Sequence, residues 1–247
     1  MSYYHSLNPF RESFRKGLPV LTYHKLGPRP RGVRIKGLYV GTDLFAQQLS
    51  ELHAAGFSTT TLAEVMSAGD AQKHIVLTFD DGYVSALQYG LRPLADNQYR
   101  AMQFLVAGCL GKTNLWDRDA GEIQEPLMDA GLVREWLAAG HDIGSHSLTH
   151  PHLTRIGRRQ AREEIHASKR ILEDLFGRAI DYFCYPYGDW NEEISELVKG
   201  AGYRAAFTTT AGINTPGQSP FALKRLTARY PSRSLKAVWS RMRTAAT

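Results

Sequence analysis

The stretch from residue 74 to residue 82 reads HIVLTFDDG and decides the fold. Its first six residues form an apolar run with the length of a buried strand, and two carboxylates and a glycine follow at once. In a regular strand Asp80 and Asp81 would point to opposite faces, but a turn at Gly82 breaks that alternation and brings both into one site. Two adjacent carboxylates at a strand end are costly unless a cation pairs with them. The stretch therefore predicts a strand that ends at a metal site.

Other apolar runs of strand length alternate with amphipathic helical patterns along the chain. The predicted strands are residues 19–23, 74–79, 101–107, 142–145, 182–185 and 204–208, and the clearest predicted helices are residues 42–52, 127–139 and 158–176. This alternation is typical of an α/β fold built on a parallel sheet or barrel. The 247 residues contain no linker or internal repeat, which favours one domain over two.

Composition limits the classes of protein to which the chain can belong. It is 43% hydrophobic and 22% charged, as in ordinary soluble globular proteins, and no run approaches the roughly 18 apolar residues of a membrane span. Residues 1–18 lack the continuous apolar block of a secretory signal, so we expect a cytoplasmic protein. Cys109 and Cys184 are expected to be buried thiols.

The net charge of +6 is concentrated near the C-terminus, where residues 197–247 hold nine basic and no acidic residues. A solvated basic face explains this distribution. The alternative is an anionic partner, such as a phosphorylated glycolipid or a membrane surface, because the apolar residues of a predicted tail helix share one face beside basic residues. Those apolar residues are Leu235, Val238, Trp239 and Met242. Nucleic acid is not an expected partner, since no binding motif accompanies the charge.

A second polar cluster lies at residues 140–152, which read GHDIGSHSLTHPH. His146 and His150 are four residues apart, which would put both imidazoles on one side of a helical turn. Two histidines and one carboxylate make a facial triad that leaves positions for water and substrate. Zn²⁺ suits this set best, and Co²⁺, Ni²⁺, Mn²⁺ or Fe²⁺ could also occupy it. We interpret His141 and His152 as structural or surface residues.

In this order, at strand ends of one α/β chain, the two clusters resemble the polysaccharide deacetylase family (carbohydrate esterase family four, which includes chitooligosaccharide deacetylases). That family's first two motifs are Thr-Phe-Asp-Asp-Gly and His-Ser/Thr-x-x-His, here residues 78–82 and 146–150. The resemblance implies a distorted (β/α) barrel of about seven parallel strands over residues 18–230, with the site at the carboxyl ends of the strands. Residues 1–17 would be an N-terminal extension and residues 231–247 a basic helical tail.

The resemblance also implies an activity, namely metal-dependent removal of an N-acetyl (or O-acetyl) group from an amino sugar in a glycan or lipid-linked glycan. Asp81, His146 and His150 would hold the metal, and Asp80 would be the general base. The third motif is represented by CYPYG at residues 184–188. It implies that the backbone N–H of Tyr187 stabilises the oxyanion, while the Tyr187 ring and Pro186 bind substrate.

The sequence departs from the family pattern in two places. Cys184 replaces the third-motif arginine that orients the base, and Leu-Lys-Arg-Leu at residues 223–226 replaces the fifth motif, whose histidine is the general acid. His24, which follows the first predicted strand, could protonate the leaving amine or be a structural histidine. Alternatively, Asp80 could act first as base and then as acid.

An irregular loop at residues 108–125 holds a tryptophan, Trp116, between polar residues. Long irregular loops in compact folds are often functional, and aromatic faces stack on sugar rings. Trp116 is therefore either a substrate-binding residue or a pin that holds the loop to the core. Residues 27–37, rich in Pro, Gly and Arg, form a second such loop.

Other functions fit parts of the pattern. A glycan-binding pseudoenzyme would explain the missing arginine and histidine, but not the retained base and ligands. A hydrolase of small cyclic amides from the same superfamily would use the same metal site. A phosphatase with an aspartyl nucleophile needs two acids two residues apart, and it would leave His146 and His150 without a role.

Overall fold

Ten short strands and six α-helices make up the regular structure of residues 3–60, 62, 64 and 73–230, which the computed structural model describes. The strands are β1 Val20–Tyr23, β2 Lys25–Leu26, β3 Tyr39–Val40, β4 Ser58–Thr59, β5 His74–Phe79, β6 Met102–Leu105, β7 Asp142–Ser145, β8 Tyr182–Cys184, β9 Ala205–Phe207 and β10 Leu226–Thr227. The helices are α1 Arg11–Phe14, α2 Thr42–Ala54, α3 Val84–Asp96, α4 Ala130–Ala138, α5 Arg158–Phe176 and α6 Glu192–Gly200.

The main sheet is parallel, with the strand order β10-β1-β5-β6-β7-β8-β9, and β4 pairs with the first residues of β5. Successive side chains of its strands point alternately into the barrel and out toward the helices, so both faces of the sheet are buried. The inward set forms one apolar cluster that includes Val76, Phe104 and Phe207. The outward set packs against the helices in a second cluster that includes Leu77 and Phe183.

Residues 223–227 complete the barrel. Leu223 forms a parallel bridge with Phe207 of β9, and Leu226 of β10 pairs with Leu21 of β1. Strand pairing therefore continues from β9 through this segment to β1, and the parallel strands curl into a distorted (β/α) barrel, which confirms the predicted fold class. Arg225, between the two pairings, is only 2% exposed.

The N-terminal segment packs against this barrel. Tyr4 forms a bridge with Ala228, next to the closing segment. The rings of Tyr4, Phe10 and Phe14 lie 5.5–5.9 Å apart, and Phe14 contacts Phe57 edge-on. Burial of these rings stabilises the segment. No helix in residues 3–60 and 73–230 has the length and apolar character needed to cross a membrane.

The predicted strands all form, with ends that differ by at most two residues. The helix at residues 158–176 also forms as predicted and ends at Gly177, whose φ of 62° is the left-handed conformation of a helix C-cap. The helix predicted at residues 127–139 spans only Ala130–Ala138. The pattern did not predict α1, α3, α6 or the two-residue strands β2, β3, β4 and β10. The predicted basic tail at residues 231–247 lies outside the described residues.

Candidate active site

Two carboxylates follow β5 at the carboxyl end of the barrel. Asp81 and Gly82 both adopt left-handed backbone conformations, with φ of 75° and 86°. This turn ends the regular alternation of the strand. Asp80 therefore faces the barrel axis, and Asp81 faces His146 and His150 in the loop after β7. For a non-glycine residue such a conformation costs about 1–3 kcal/mol. The surrounding contacts hold Asp81 in it.

The histidine pair lies in an irregular turn after β7, so the predicted helical turn is wrong. Ser147 and His150 are both left-handed, with φ of 65° and 67°. The Ser147 hydroxyl accepts a hydrogen bond from the His150 N–H at 3.0 Å. Buried Glu164 of α5 accepts three more bonds, from the backbone N–H groups of Leu148 and Thr149 and from the Thr149 hydroxyl. These contacts fix the turn that aims both imidazoles at β5.

Asp81, His146 and His150 come together as a group with the spacing of metal ligands. The Nε2 atoms of both histidines lie 3.4 Å from Asp81 Oδ1. Tetrahedral zinc with ligand bonds of about 2.1 Å would place its ligand atoms about 3.4 Å apart. His146 Nδ1 donates to the Cys184 carbonyl at 2.7 Å, which leaves its Nε2 lone pair for a metal. The three residues therefore fit the predicted metal.

Asp80, His146 and Cys184 form a second group with close ligand atoms. Arg225 excludes a cation there, because its guanidinium donates to both Asp80 oxygens at 2.8 Å and to Cys184 Sγ at 3.1 Å. The same side chain donates to the Thr208 carbonyl at 2.9 Å. The position beside Asp80 is thus filled by an arginine from the barrel-closing segment.

Burial and nearby charges set the ionisation of these groups. Burial works to raise the pKa of the Asp80 carboxyl, but Arg225 outweighs it and holds that pKa below its usual value. Burial likewise opposes ionisation of Asp81, yet the adjacent imidazoles of His146 and His150 hold its pKa well below the usual value. Burial raises the pKa of Cys184, which keeps it a neutral thiol. Both aspartates are therefore carboxylates at neutral pH.

His24 follows β1 and faces the candidate base. Its Nε2 lies 3.7 Å from Asp80 Oδ2, and its side chain is 18% exposed. It also lines the cavity that opens above the metal ligands. The structure therefore places His24 beside the candidate base and in the cavity lining, while its role stays a prediction.

Aromatic rings surround His150, one of the candidate metal ligands. Trp116 stacks on His150 with centroids 4.4 Å apart, and Tyr187 contacts the same imidazole edge-on at 4.6 Å. Tyr187 also stacks on His152 at 3.9 Å, so His152 belongs to the rim of the site rather than to an unrelated surface. Tyr187 has a φ of 60° and is 44% exposed. Trp116 and Tyr187 both line the cavity.

Pro186 does not take the substrate-binding place that we predicted for it. It is buried and does not belong to the residues that line the cavity. It begins a tight turn over Pro186–Gly188, in which Tyr187 is non-helical with a φ of 60° and a ψ of 2°. Its contribution is therefore to the shape of the turn.

The cavity has a volume of about 730 Å³ and contains Asp80, Asp81, His146 and His150 in its lining. Cavities of about 300–1,000 Å³ are usual for small ligands and single sugar units. Two irregular loops form part of its wall and are joined, because Glu122 accepts hydrogen bonds from the backbone N–H groups of Arg34 and Ile35. The long loops identified in the sequence thus meet at this site.

Trp116 is expected to support metal binding through its stacking on His150. Replacing it in Trp116→Leu should weaken Zn²⁺ affinity about 10-fold, as for other residues that orient metal ligands. Trp116→Phe, which keeps an aromatic face, should stay close to the original affinity. Competition with a chromogenic chelator measures both. Equal affinities for the leucine variant and the unaltered protein would contradict a supporting role.

Arg225 was not among the site residues predicted from the sequence. It lies 145 residues from Asp80 along the chain, and the tetrapeptide that contains it was interpreted only as a lost motif. One weak signal was available, namely a basic residue two positions after Leu223 in a short segment that could form a strand. In a strand that spacing places Arg225 on the same inward face as Leu223.

Comparison with known proteins gives consistent results. A sequence model of the polysaccharide deacetylase family matches residues 67–206, more than half of the chain. YxkH of Bacillus subtilis is 27% identical over 214 residues, which cover 85% of this chain and 70% of YxkH. The peptidoglycan-N-acetylglucosamine deacetylase PgdA of Listeria monocytogenes is 28% identical over 69% of this chain, which spans only 32% of PgdA.

Among solved structures, IcaB from Ammonifex degensii is similar with a TM-score of 0.76 and 26% identity, over 91% of this chain and 97% of IcaB. The family match includes the two aspartates and both ligand histidines, which the barrel brings together at the carboxyl ends of its strands. The chain belongs to the polysaccharide deacetylase family.

Proposed function

We propose that this protein is a metal-dependent hydrolase that removes the N-acetyl group from an amino sugar of a glycan. One observation carries the proposal. Three candidate metal ligands and a neighbouring carboxylate, which an arginine holds in place, lie together in the lining of one cavity. Asp81, His146 and His150 face one another, while Asp80 is held by Arg225 and remains beside them. The name of PgdA supports an N-acetylated glycan as the substrate.

The chain's residues divide the chemistry between them. When bound, a divalent metal supplies Lewis-acid polarisation of the acetyl carbonyl and lowers the pKa of the attacking water. Asp80 accepts the proton from that water as its oxygen attacks the carbonyl carbon. The backbone N–H of Tyr187 is proposed to donate to the oxyanion of the tetrahedral intermediate. The carbon–nitrogen bond then breaks, and acetate leaves.

The leaving amine needs a proton, and His24 is the proposed donor. Its Nε2 lies 3.7 Å from Asp80 Oδ2, beside the base but beyond hydrogen-bond distance, and we propose that a protonated His24 gives its own proton to the amine as the carbon–nitrogen bond breaks. Zn²⁺ is the proposed metal, because one carboxylate and two imidazoles are ligands that it favours. Cytoplasmic location and a lipid-linked substrate at a membrane surface stay predictions from the sequence.

Acetate release tests the function. Metal-stripped protein is incubated with N-acetylglucosamine oligomers, then reloaded with Zn²⁺ or Co²⁺ and incubated again. We expect one free amine for each acetate released, and release only after reloading. No acetate from these oligomers, but acetate from an O-acetylated sugar, would indicate an O-acetyl esterase. Equal release by the stripped protein would contradict metal dependence.

A further inference from the structure

One wall of the cavity is cationic. Arg34, Lys36 and Arg229 all line it, together with Tyr3 and the metal ligands. None of these three cations has a carboxylate within 4.0 Å among the residues that the structure describes, although many other basic side chains there do. Residues 27–37 also contain no acidic residue. The wall therefore presents positive charge that the described protein does not neutralise.

Arg229 is held in place although it lacks an ionic partner. Its guanidinium lies 4.5 Å from the centroid of the Tyr3 ring. On another side it packs against Gly37, where a Cβ would come within 2.6 Å of its terminal nitrogen. Its backbone N–H donates to the Tyr4 carbonyl at 2.8 Å. An arginine fixed by an aromatic ring and a glycine loses little conformational entropy when it binds an anion.

The position of this wall relates it to the substrate. Arg229 lies two residues after β10, and His24 follows directly on β1, which pairs with β10. The two side chains therefore belong to the same side of the barrel mouth. Trp116 and Tyr187 line the same cavity. The loop that carries Trp116 also holds Arg34, whose Nη1 donates to a backbone carbonyl of that loop at 2.7 Å. A sugar bound above the metal ligands thus lies beside both the aromatic rings and the cations.

We infer that Arg229, with Arg34 and Lys36, forms a subsite for an oxyanion of the glycan, a carboxylate or a phosphate, carried beside the N-acetylated sugar. This inference rests on the proposed function. Guanidinium groups match the planar geometry of carboxylates and the tetrahedral oxygens of phosphates, and they donate through several N–H groups. The substrate is therefore an acidic glycan or a sugar phosphate rather than a neutral polymer.

The test compares kcat/KM for matched substrates. The neutral substrates are the N-acetylglucosamine dimer and the methyl glycoside of N-acetylglucosamine. The anionic ones are a glucuronate–N-acetylglucosamine disaccharide and N-acetylglucosamine 1-phosphate, which separate carboxylate from phosphate. One anionic substrate should exceed its neutral counterpart by about 10- to 100-fold, the value of one charge-assisted hydrogen bond. Added salt should reduce that preference.

Arg229→Gln should remove the preference for the anionic substrate. It should leave kcat/KM for the neutral substrates within about two-fold of the unaltered protein's value, since those substrates have no anion to pair with Arg229. Arg159→Gln, on the exposed side of α5, makes the same charge change away from the cavity and should alter neither value. Equal rates for anionic and neutral substrates, or an equal decline of both in Arg229→Gln, would overturn the subsite. Turnover of no substrate by the unaltered protein would contradict the proposed function itself.

Discussion

Asp80→Asn is expected to lower kcat by about 10²- to 10⁴-fold, the usual contribution of a general base, while one equivalent of metal still binds. An amide cannot take a proton from the attacking water. The three proposed ligands are untouched, so metal stoichiometry should not change. Acetate release and metal content measure the two properties on the same preparation.

Stability needs a separate control in this variant, because a neutral amide at position 80 would leave the buried guanidinium of Arg225 without its carboxylate. A fall in the midpoint of thermal unfolding is therefore expected, and kcat is measured well below that midpoint. Asp96→Asn makes the same chemical change on the surface of α3, where the side chain is 63% exposed. It should leave kcat unaltered. Turnover by Asp80→Asn at the original rate would show that another group is the base.

The strand ends could be located from the sequence because apolar runs and polar motifs follow each other directly. The largely apolar residues 75–79 lead to Asp80, and residues 142–145, which include one large apolar side chain, lead directly into His146. In a parallel barrel the carboxyl ends of the strands lie at one mouth. The expected closeness of Asp81 and His146 therefore rested on this topology together with the resemblance to the family's first two motifs.

The conformation of the histidine turn did not follow from the sequence. A spacing of four suits a helix, and nothing local indicates that Ser147 and His150 are left-handed. That conformation depends on Glu164, which lies on α5 and accepts bonds from the middle of the turn. The spacing of the two histidines predicted a helical turn, whereas contacts with a distant helix hold this segment in an irregular turn.

Arg225 could not be predicted as the partner of Asp80, because the two residues meet only when the barrel closes. The family motif places an arginine at the position of Cys184, at the end of β8, and its loss suggested a base without an orienting group. Arg225 reaches the same carboxylate from the segment that closes the barrel between β9 and β1. Only the closed barrel shows that Arg225 and Cys184 are neighbours, with 3.1 Å between guanidinium and sulfur.

Replacing Arg225 with an apolar residue should damage both stability and catalysis. In Arg225→Met the Asp80 carboxylate stays buried without its cation, and breaking such a pair costs about 3–5 kcal/mol in the free energy of unfolding. The pKa of Asp80 should rise, because the guanidinium that lowers it is gone. Since the base acts only when ionised, the acid limb of the pH–kcat profile should move to higher pH. Urea unfolding and the pH profile measure the two effects.

Arg225→Lys separates charge from geometry. A lysine keeps the positive charge but cannot donate to both carboxylate oxygens from a rigid fork. It should therefore hold the pKa of Asp80 lower than methionine does, yet recover only part of kcat, because the carboxylate is less firmly oriented. An unchanged pH profile and kcat in Arg225→Met would contradict any effect of Arg225 on the base.

The sharpest test moves the arginine to the other strand. Cys184→Arg with Arg225→Ala restores the family's third-motif arginine and empties the space that the present guanidinium fills. Because Cys184 Sγ already touches that guanidinium, the new side chain starts beside Asp80. The double variant should regain much of the kcat and acid limb that Arg225→Ala alone loses. Recovery would mean that the barrel supplies the same cation to its base from either of two strands, whereas no recovery together with a folded protein would tie the function to the position of residue 225.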